Sequence, residues 1–257
     1  MICAGIDAGS RTLKIVLVDA ETQTPVAMGV VDQGIDQDRV ANDLLERLLA
    51  THHLLRSDVG GVVATGYGRK LVRQAAATVT EITCQTRGVR QCLPNARTII
   101  DIGGQDSKLV RLRTDGAVAD FVMNDRCAAG TGRFLEMLAV QLGVPLGQLG
   151  PLIERSRTPA TISSMCVVFA ETEIVGLLAS GVALEDIAAG VEAAIATRIA
   201  AMTGGASSGP VVFTGGVAMV PGMDAALAAV LGCPIQVAPQ PQCTCALGAA
   251  LLAAERL

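Results

Sequence analysis

Short apolar runs separated by turn-forming residues open the first half of the chain and recur in the second. Runs of this length, bounded by Gly, Asp and Pro, are typical of β-strands. The Asp-Gly step at 115–116 is also a common hairpin turn. Each half is therefore predicted to begin as strand, tight turn, strand, hairpin, strand, over these runs: Ile2–Ile6, Leu13–Val18 and Val26–Val31, then Thr98–Ile102, Lys108–Leu112 and Ala117–Val122.

Apolar residues three and four positions apart predict helices elsewhere in the chain. The spacing indicates helices over Asp38–Leu49 and Leu184–Met202, the second stopped by the diglycine at 204–205. Val211–Phe213 is a predicted buried strand, and the Ala- and Leu-rich tail Cys245–Leu257 a final helix. The fold class is α/β, with two related lobes at 1–95 and 96–257 and a final helix that could pack back on the first lobe.

One motif occurs at the first turn of both halves. The pattern I-D-x-G-x-x-x-x-K spans 6–14 and 100–108, which places Asp7 and Asp101 94 residues apart. Tight turns of small residues let backbone N–H groups approach phosphate oxygens, and an aspartate there can hold Mg²⁺ through water or orient an attacking water. The predicted catalytic residues are Asp7, Asp101 and Gln105, the last as the side chain best suited to position water.

A third glycine turn, Thr214-Gly215-Gly216, follows the predicted strand at 211–213 and leaves room for a flat adenosine. The predicted nucleotide-binding residues are Gly9, Ser10, Arg11, Lys14, Gly103, Gly104, Gly215 and Gly216. Together with 64–66 (ATG) and 246–250 (ALGAA), these turns resemble the nucleotide-site segments of the acetate and sugar kinase, Hsp70 and actin superfamily. This resemblance implies two ribonuclease-H-like lobes with ATP and Mg²⁺ in a cleft between them.

Composition and charge exclude several other classes of protein. Hydrophobic residues make up 51%, the mean hydropathy is +0.48 and the net charge is −4, so neither disorder nor phosphate-neutralising nucleic-acid binding is expected. The long uncharged stretch at 225–254 is interrupted by Gly, Pro and Gln, which argues against a membrane-spanning helix. With no basic, apolar leader at residues 1–5, the expected location is the cytoplasm.

Eight cysteines in a chain expected to be reduced suggest thiol chemistry rather than disulfides. No Cys-x-x-Cys occurs, and the two histidines are the adjacent pair His52 and His53, interpreted as a solvated helix end. Cys127 is predicted just before or at a helix N-terminus, and Cys166 just before a second helix running toward Ala179. The other six are interpreted as small buried side chains, Cys84 and Cys92 flanking a helical stretch, although Cys243-x-Cys245 could bind a metal.

Three strings resemble the activator ATPases of (R)-2-hydroxyacyl-CoA dehydratases, the BadF/BadG/BcrA/BcrD-type family, to which benzoyl-CoA reductase ATPase subunits are related. They are DIGGQD at 101–106, NDRCAAGTG at 124–132 and SMCVVFAE at 164–171. The resemblance implies a homodimer with one [4Fe-4S] cluster at its interface, bound by Cys127 and Cys166 of each subunit. It further implies an anaerobic system in which reduced ferredoxin or flavodoxin supplies an electron. ATP hydrolysis would drive that electron to a dehydratase or related reductase.

Alternatives remain open at this point. A benzoyl-CoA reductase-type ATPase subunit or a small-molecule kinase would use the same nucleotide segments, and an actin-like filament protein would share the fold. A kinase would leave Cys127 and Cys166 unexplained. The sequence specifies neither the acyl-CoA substrate of the partner nor whether a paralogous subunit replaces the second copy.

Overall fold

The computed structural model describes residues 1–163, 166–204 and 209–257. The strands in these residues are β1 (Ile2–Ala8), β2 (Thr12–Asp19), β3 (Pro25–Asp32), β4 (Val59–Thr65), β5 (Ala77–Thr78), β6 (Thr98–Ile102), β7 (Ser107–Leu112), β8 (Val118–Asn124), β9 (Val211–Thr214) and β10 (Ile235–Val237). The helices are α1 (Gln37–Thr51), α2 (Glu81–Cys92), α3 (Gly132–Leu142), α4 (Leu149–Ile153), α5 (Val167–Ala179), α6 (Leu184–Thr203), α7 (Met223–Leu231) and α8 (Thr244–Ala254).

Contacts between residues divide the chain into two compact units. Unit one contains Met1–Ala96, Thr114–Val118 and Ala238–Leu257, and unit two contains Arg97–Arg113 and Ala119–Val237. The division into domains of 1–95 and 96–257 stays a prediction. By residue contacts, the C-terminal segment 238–257 belongs to unit one.

Unit one is built on a sheet with the strand order β3-β2-β1-β4-β5. β1 runs antiparallel to β2, with Asp7 opposite Lys14, and parallel to β4, with Asp7 opposite Thr65. On one face α8 lies directly against β1, because Gly5 has no side chain and a Cβ there would collide with the Ala246 carbonyl. This register places the carboxylate of Asp7 at the end of three neighbouring strands.

Unit two repeats this arrangement with the strand order β10-β9-β6-β7-β8. Asp101 of β6 lies opposite Lys108 of the antiparallel β7 and opposite Thr214 of the parallel β9. Helix α3 buries one apolar face in the core of this unit, formed by Phe134, Leu135, Leu138 and Leu142. The internal repeat read from the sequence is thus a repeat of sheet topology.

Most predicted elements are confirmed, and two details need correction. The six predicted strands and the helices at 38–49 and 184–202 are present, and α6 ends at Gly204 with φ +63°, although Gly205 lies outside the described residues. The tail helix is shorter than predicted, since α8 ends at Ala254. Cys84 and Cys92 lie within α2 rather than beside it. Across the described ranges, the helices fall short of the length and apolar character needed to cross a membrane.

Candidate functional site

The turn between β1 and β2 in unit one contains Gly9, Ser10 and Arg11. Lys14, the cross-strand partner of Asp7, places its Nζ 3.2 Å from Asp7 Oδ2, and both side chains are largely buried. A Cβ at Gly9 would lie 2.9 Å from the Thr12 carbonyl oxygen and 3.0 Å from Lys14 Nζ. Only glycine therefore lets the turn close over the Asp7–Lys14 pair, while Ser10 and Arg11 are exposed at its tip.

The turn between β6 and β7 in unit two has the same backbone plan but different charges. Its ends are joined by a hydrogen bond from Gly103 N to the Asp106 carbonyl, 2.9 Å long. Lys108 is buried, and its Nζ lies 2.6 Å from Asp106 Oδ2 and 3.7 Å from Asp101 Oδ2. Gln105 at the tip is exposed. One buried cation here faces two carboxylates, so this turn is more negative than its counterpart in unit one.

A Thr-Gly step closes each site on the side of the parallel strand. Gly66 and Gly215 both have φ +90°, a conformation that favours glycine. A Cβ at Gly66 would lie 2.5 Å from Asp7 Oδ1, and one at Gly215 would lie 2.6 Å from Asp101 Oδ1. The Thr214 hydroxyl also donates to Asp101 Oδ1 over 3.2 Å.

These two steps are separate segments in the sequence pattern, whereas in the structure they are one feature repeated in both units. The signal that could have revealed it is Thr-Gly directly after an apolar strand in both halves of the chain. Gly216, which was predicted to accept adenosine, is half-exposed and begins a short 3₁₀ helix, Gly216–Met219.

The N-terminus of α3 is hydrogen-bonded to the turn of unit two. Gly132 N donates to the Gly103 carbonyl and Arg133 N to the Gly104 carbonyl, each over 2.9 Å. These donors belong to the first turn of α3, whose N–H groups have no partner within the helix. The glycine turn and the start of α3 therefore form one continuous hydrogen-bonded structure.

Cys127 lies just before helix α3. It precedes a one-turn 3₁₀ helix, Ala128–Gly130, and α3 begins only at Gly132 with Thr131 as its N-cap. Of the two predicted positions, just before or at the helix N-terminus, Cys127 has the first, with one short turn between it and α3. Its thiol is half-buried against the core of unit two.

Cys166 is the N-cap residue of α5 and is exposed. The prediction of a helix running from it to Ala179 is confirmed, whereas Ser164 and Met165 of the matched string lie outside the described residues. Cys127 and Ser163 line the same cavity of about 680 Å³ in unit two. The chain leading to Cys166 thus reaches the same cavity as Cys127.

The remaining cysteines are in different surroundings. Burial raises the pKa of the Cys84 thiol to about 11, and it raises the pKa of Cys3, Cys92 and Cys243 as well. Cys245 is buried in α8, where its Sγ donates to the Glu81 carbonyl over 3.7 Å. Cys3, Cys84, Cys92 and Cys243 thus favour the neutral thiol, which packs well but does not ligate metals as a thiolate does. In the described part of a single chain, no three His, Cys, Asp or Glu side chains are grouped as a metal site.

Comparison with known proteins agrees with this geometry. Residues 4–253 match the model of the BadF/BadG/BcrA/BcrD ATPase family. The activator of lactoyl-CoA dehydratase from Anaerotignum propionicum is 42% identical over 99% of this chain and 98% of its own length. The activator of the 2-hydroxyisocaproyl-CoA dehydratase from Clostridium difficile, solved with bound ADPNP, superposes with a TM-score of 0.95 at 38% identity. That superposition covers 100% of this chain and 95% of the other.

A more distant likeness concerns the fold alone. The ROK hexokinase from Thermus thermophilus aligns with 100% of this chain, and 99% of its own, with a TM-score of 0.55 at 13% identity. The predicted sugar kinase, Hsp70 and actin type of α/β fold is thereby confirmed. The resemblance drawn from the three sequence strings is confirmed too, and the chain belongs to the BadF/BadG/BcrA/BcrD ATPase family.

Proposed function

We propose that this ATPase drives an electron at low potential through a [4Fe-4S] cluster, shared by two copies of the chain, to a 2-hydroxyacyl-CoA dehydratase-type partner. Similarity to a dehydratase activator over nearly the full length of both chains favours this partner over a benzoyl-CoA reductase-type one. The electron donor would be reduced ferredoxin or flavodoxin.

The two turns suit different parts of Mg-ATP. In unit one, Lys14 Nζ lies 3.2 Å from Asp7 Oδ2 and the cationic Arg11 lies at the tip, so the Gly9–Lys14 turn is suited to phosphate oxygens. In unit two, Asp101 and Asp106 outnumber Lys108. Carboxylate oxygens are the ligands that Mg²⁺ prefers, and Asp101 would hold the ion, directly or through water.

Gln105 is the side chain that we assign to orienting the attacking water. Its neighbour Asp106 is engaged by Lys108 at 2.6 Å, whereas Gln105 is exposed at the tip of the turn. An amide can accept a hydrogen bond from water and donate one to a phosphate oxygen, which is what alignment for in-line attack requires.

The thiols of the chain fit a shared cluster. Cys127 is half-buried and lines the cavity that Ser163 also lines, and Cys166 is exposed three residues after Ser163. Two copies of the chain would supply four thiolates. The cluster, when bound, supplies one-electron transfer. Val168 and Phe169, on the first turn of α5 beside Cys166, are 67% and 69% exposed, as expected of a surface that a second subunit covers.

The observation that carries the proposal is the link between glycine turn and cysteine. Gly103 and Gly104 accept hydrogen bonds from Gly132 and Arg133, and the 3₁₀ turn that begins after Cys127 leads directly into that helix. A change in this turn between ATP and ADP would therefore shift the start of α3 and the adjoining Cys127 segment. Such a link is what coupling of hydrolysis to electron transfer requires.

Anaerobic purification with iron analysis tests the proposal. The expected result is about four irons per two chains, lost in Cys127→Ser and in Cys166→Ser. The matched controls Cys84→Ser and Cys243→Ser should keep the iron, because both thiols are buried in unit one. With a reduced donor and ATP, the wild type should activate a 2-hydroxyacyl-CoA dehydratase. An iron-free chain that phosphorylates a small molecule would overturn the proposal in favour of a kinase.

A further inference from the structure

Both candidate cluster ligands lie in segments outside regular helices and strands, and each segment is fixed by one polar side chain. This inference rests on the proposed function, since it concerns how the two thiols are held. A cluster shared by two copies requires the Sγ atoms of each chain at defined positions, because metal–sulfur distances vary little. The backbone that carries each thiol must therefore be held before the metal binds.

Asn124, the last residue of β8, holds the backbone of Cys127 at both ends. Its Oδ1 accepts from Cys127 N over 3.0 Å, and its Nδ2 donates to the Cys127 carbonyl over 2.8 Å. An asparagine offers one acceptor and one donor at this reach without adding charge. Aspartate would keep only the acceptor and would place a negative charge beside a thiolate.

Glu173, a residue of α5, binds the chain three residues before Cys166. Its Oε1 accepts from Ser163 N over 2.8 Å and from Ser163 Oγ over 2.7 Å. Ser163 lies three residues before Cys166, and Glu173 seven residues after it. The chain entering the helix is thereby tied to the second turn of the same helix, with Cys166 between the two points.

The segment before Ser163 is anchored as well. Asp186 Oδ1 accepts from Ser156 Oγ and from the backbone N–H groups of Arg157 and Thr158, and Ala160 N donates to the Asp186 carbonyl. Ala160 also packs on Gly190 of α6 so closely that any Cβ at Gly190 would collide with its carbonyl oxygen. With this segment fixed on α6, the bond to Glu173 ties Ser163, three residues before Cys166, to α5.

We propose that Asn124 and Glu173 are positioning residues that fix the Cys127 and Cys166 thiols for cluster binding, one residue for each cysteine. Neither residue contacts the metal, and neither belongs to the nucleotide turns. Their removal should weaken cluster retention and change the cluster's electronic environment while nucleotide affinity stays the same.

The test measures iron release from the anaerobically reconstituted full-length protein to an Fe²⁺ chelator, followed by loss of visible absorbance. Asn124→Ala and Glu173→Ala should release iron at least tenfold faster than wild type. Both should also shift the electron paramagnetic resonance signal of the reduced cluster. Glu173→Gln keeps an Oε1 acceptor for Ser163 and should behave like wild type, and Asn124→Asp should fall between wild type and Asn124→Ala.

Two control variants carry the same types of substitution at positions in α1, away from both cysteines. Asn42→Ala removes an amide that donates to the Asp38 carbonyl in α1, and Glu46→Gln alters an exposed carboxylate paired with Arg56. Both should leave iron release unchanged, and ATP-analogue affinity in every variant should equal that of wild type. Loss of that affinity in an alanine variant would indicate misfolding, and iron release from Asn124→Asp then decides: release faster than wild type supports the positioning role, and release at the wild-type rate overturns it.

The outcomes separate this inference from the proposed function. If Cys127→Ser loses its iron but Asn124→Ala and Glu173→Ala release iron at the wild-type rate with an unchanged signal, the positioning roles are wrong and the cluster stands. If Cys127→Ser keeps its full iron content, the proposed function itself fails.

Discussion

Lys14 and Lys108 occupy the same position in the two copies of the repeat but lie among different charges. Lys14 Nζ lies 3.2 Å from Asp7 Oδ2, whereas Lys108 Nζ lies within 4 Å of carboxylate oxygens of both Asp101 and Asp106. Two positions of the repeated turn differ in charge: unit one has Arg11 and Thr12 where unit two has Gln105 and Asp106. These two differences make the turn of unit two more negative than that of unit one.

At this scale the predicted nucleotide residues separate into two kinds. Asp101→Ala should retain ATP affinity within a few-fold, because phosphates are held mainly by backbone N–H groups, yet lose hydrolysis by about a hundredfold or more. Lys108 keeps Asp106 as a partner at 2.6 Å, so the turn should survive. Gly216→Val should instead lose binding, since its side chain would occupy the place predicted for adenosine. Calorimetric ATP binding and phosphate release measure the two effects.

Asp43→Asn, a change on the exposed side of α1, is the control and should affect neither quantity. Wild-type turnover in purified Asp101→Ala would remove Asp101 from the mechanism. The same assay on Asp7→Ala tests whether both copies of the motif contribute to hydrolysis. We expect Asp7→Ala to lose hydrolysis as well.

Close packing of helix α8 depends on three glycines. Gly5 of β1 lies under α8, and Gly88 of α2 and Gly248 of α8 face each other, so that a Cβ at any of them would collide with backbone of the neighbouring element. These contacts explain why the apolar helix α8 belongs to unit one. It also buries Thr244, which shares hydrogen bonds with Gln85 of α2.

Helix α6 carries a buried carboxylate that makes stability depend on pH. Glu192 is only 6% exposed, and burial, followed by the like charge of Asp224, raises its pKa from 4.5 to about 7. Between these pH values the folded chain keeps a proton that the unfolded chain releases. The free energy of unfolding therefore falls as pH rises, by about 1.4 kcal/mol per pH unit, and levels off above pH 7.

Glu192→Gln removes this titration and should gain about 2 to 3 kcal/mol relative to wild type between pH 5 and pH 8. Urea unfolding followed by circular dichroism at the two pH values measures the difference, and the exposed Glu154→Gln serves as control. Parallel pH profiles for wild type and Glu192→Gln would show that the side chain finds compensating partners when it ionises.

The strands and the repeat could be predicted because they depend on local patterns: apolar runs, turn residues and a nine-residue motif. The 3₁₀ turn after Cys127 could not, because Gly130 and Thr131 interrupt a segment whose composition otherwise favours one helix. Contacts between distant positions were equally out of reach, such as those of Ser163 with Glu173 and of Gly132 with Gly103. For the candidate site, the sequence pattern indicates the glycine turns and the two cysteines. The carboxylates around each lysine, and the side chains that hold the backbone near each cysteine, are visible only in the folded structure.

For the whole molecule, the proposed cluster would make dimer formation depend on iron content. Cys166 lies on the surface beside the exposed apolar side chains of Val168 and Phe169, so a second copy would cover thiol and apolar surface together. Metal–thiolate bonds between copies add binding free energy that is absent once the metal has gone. The iron-loaded protein should therefore dissociate less readily on dilution than the iron-free protein.

Sedimentation velocity before and after exposure to air measures this linkage. The anaerobic protein should sediment as a dimer with visible absorbance in the same boundary, and the air-treated protein should lose the absorbance and shift toward the monomer as it is diluted. Anaerobic Cys166→Ser should sediment like the air-treated wild type, which separates loss of the cluster from oxidative damage elsewhere. A wild-type dimer that persists unchanged at every dilution after bleaching would show that protein contacts alone hold the two copies together, and the bridging role of the cluster would have to be abandoned.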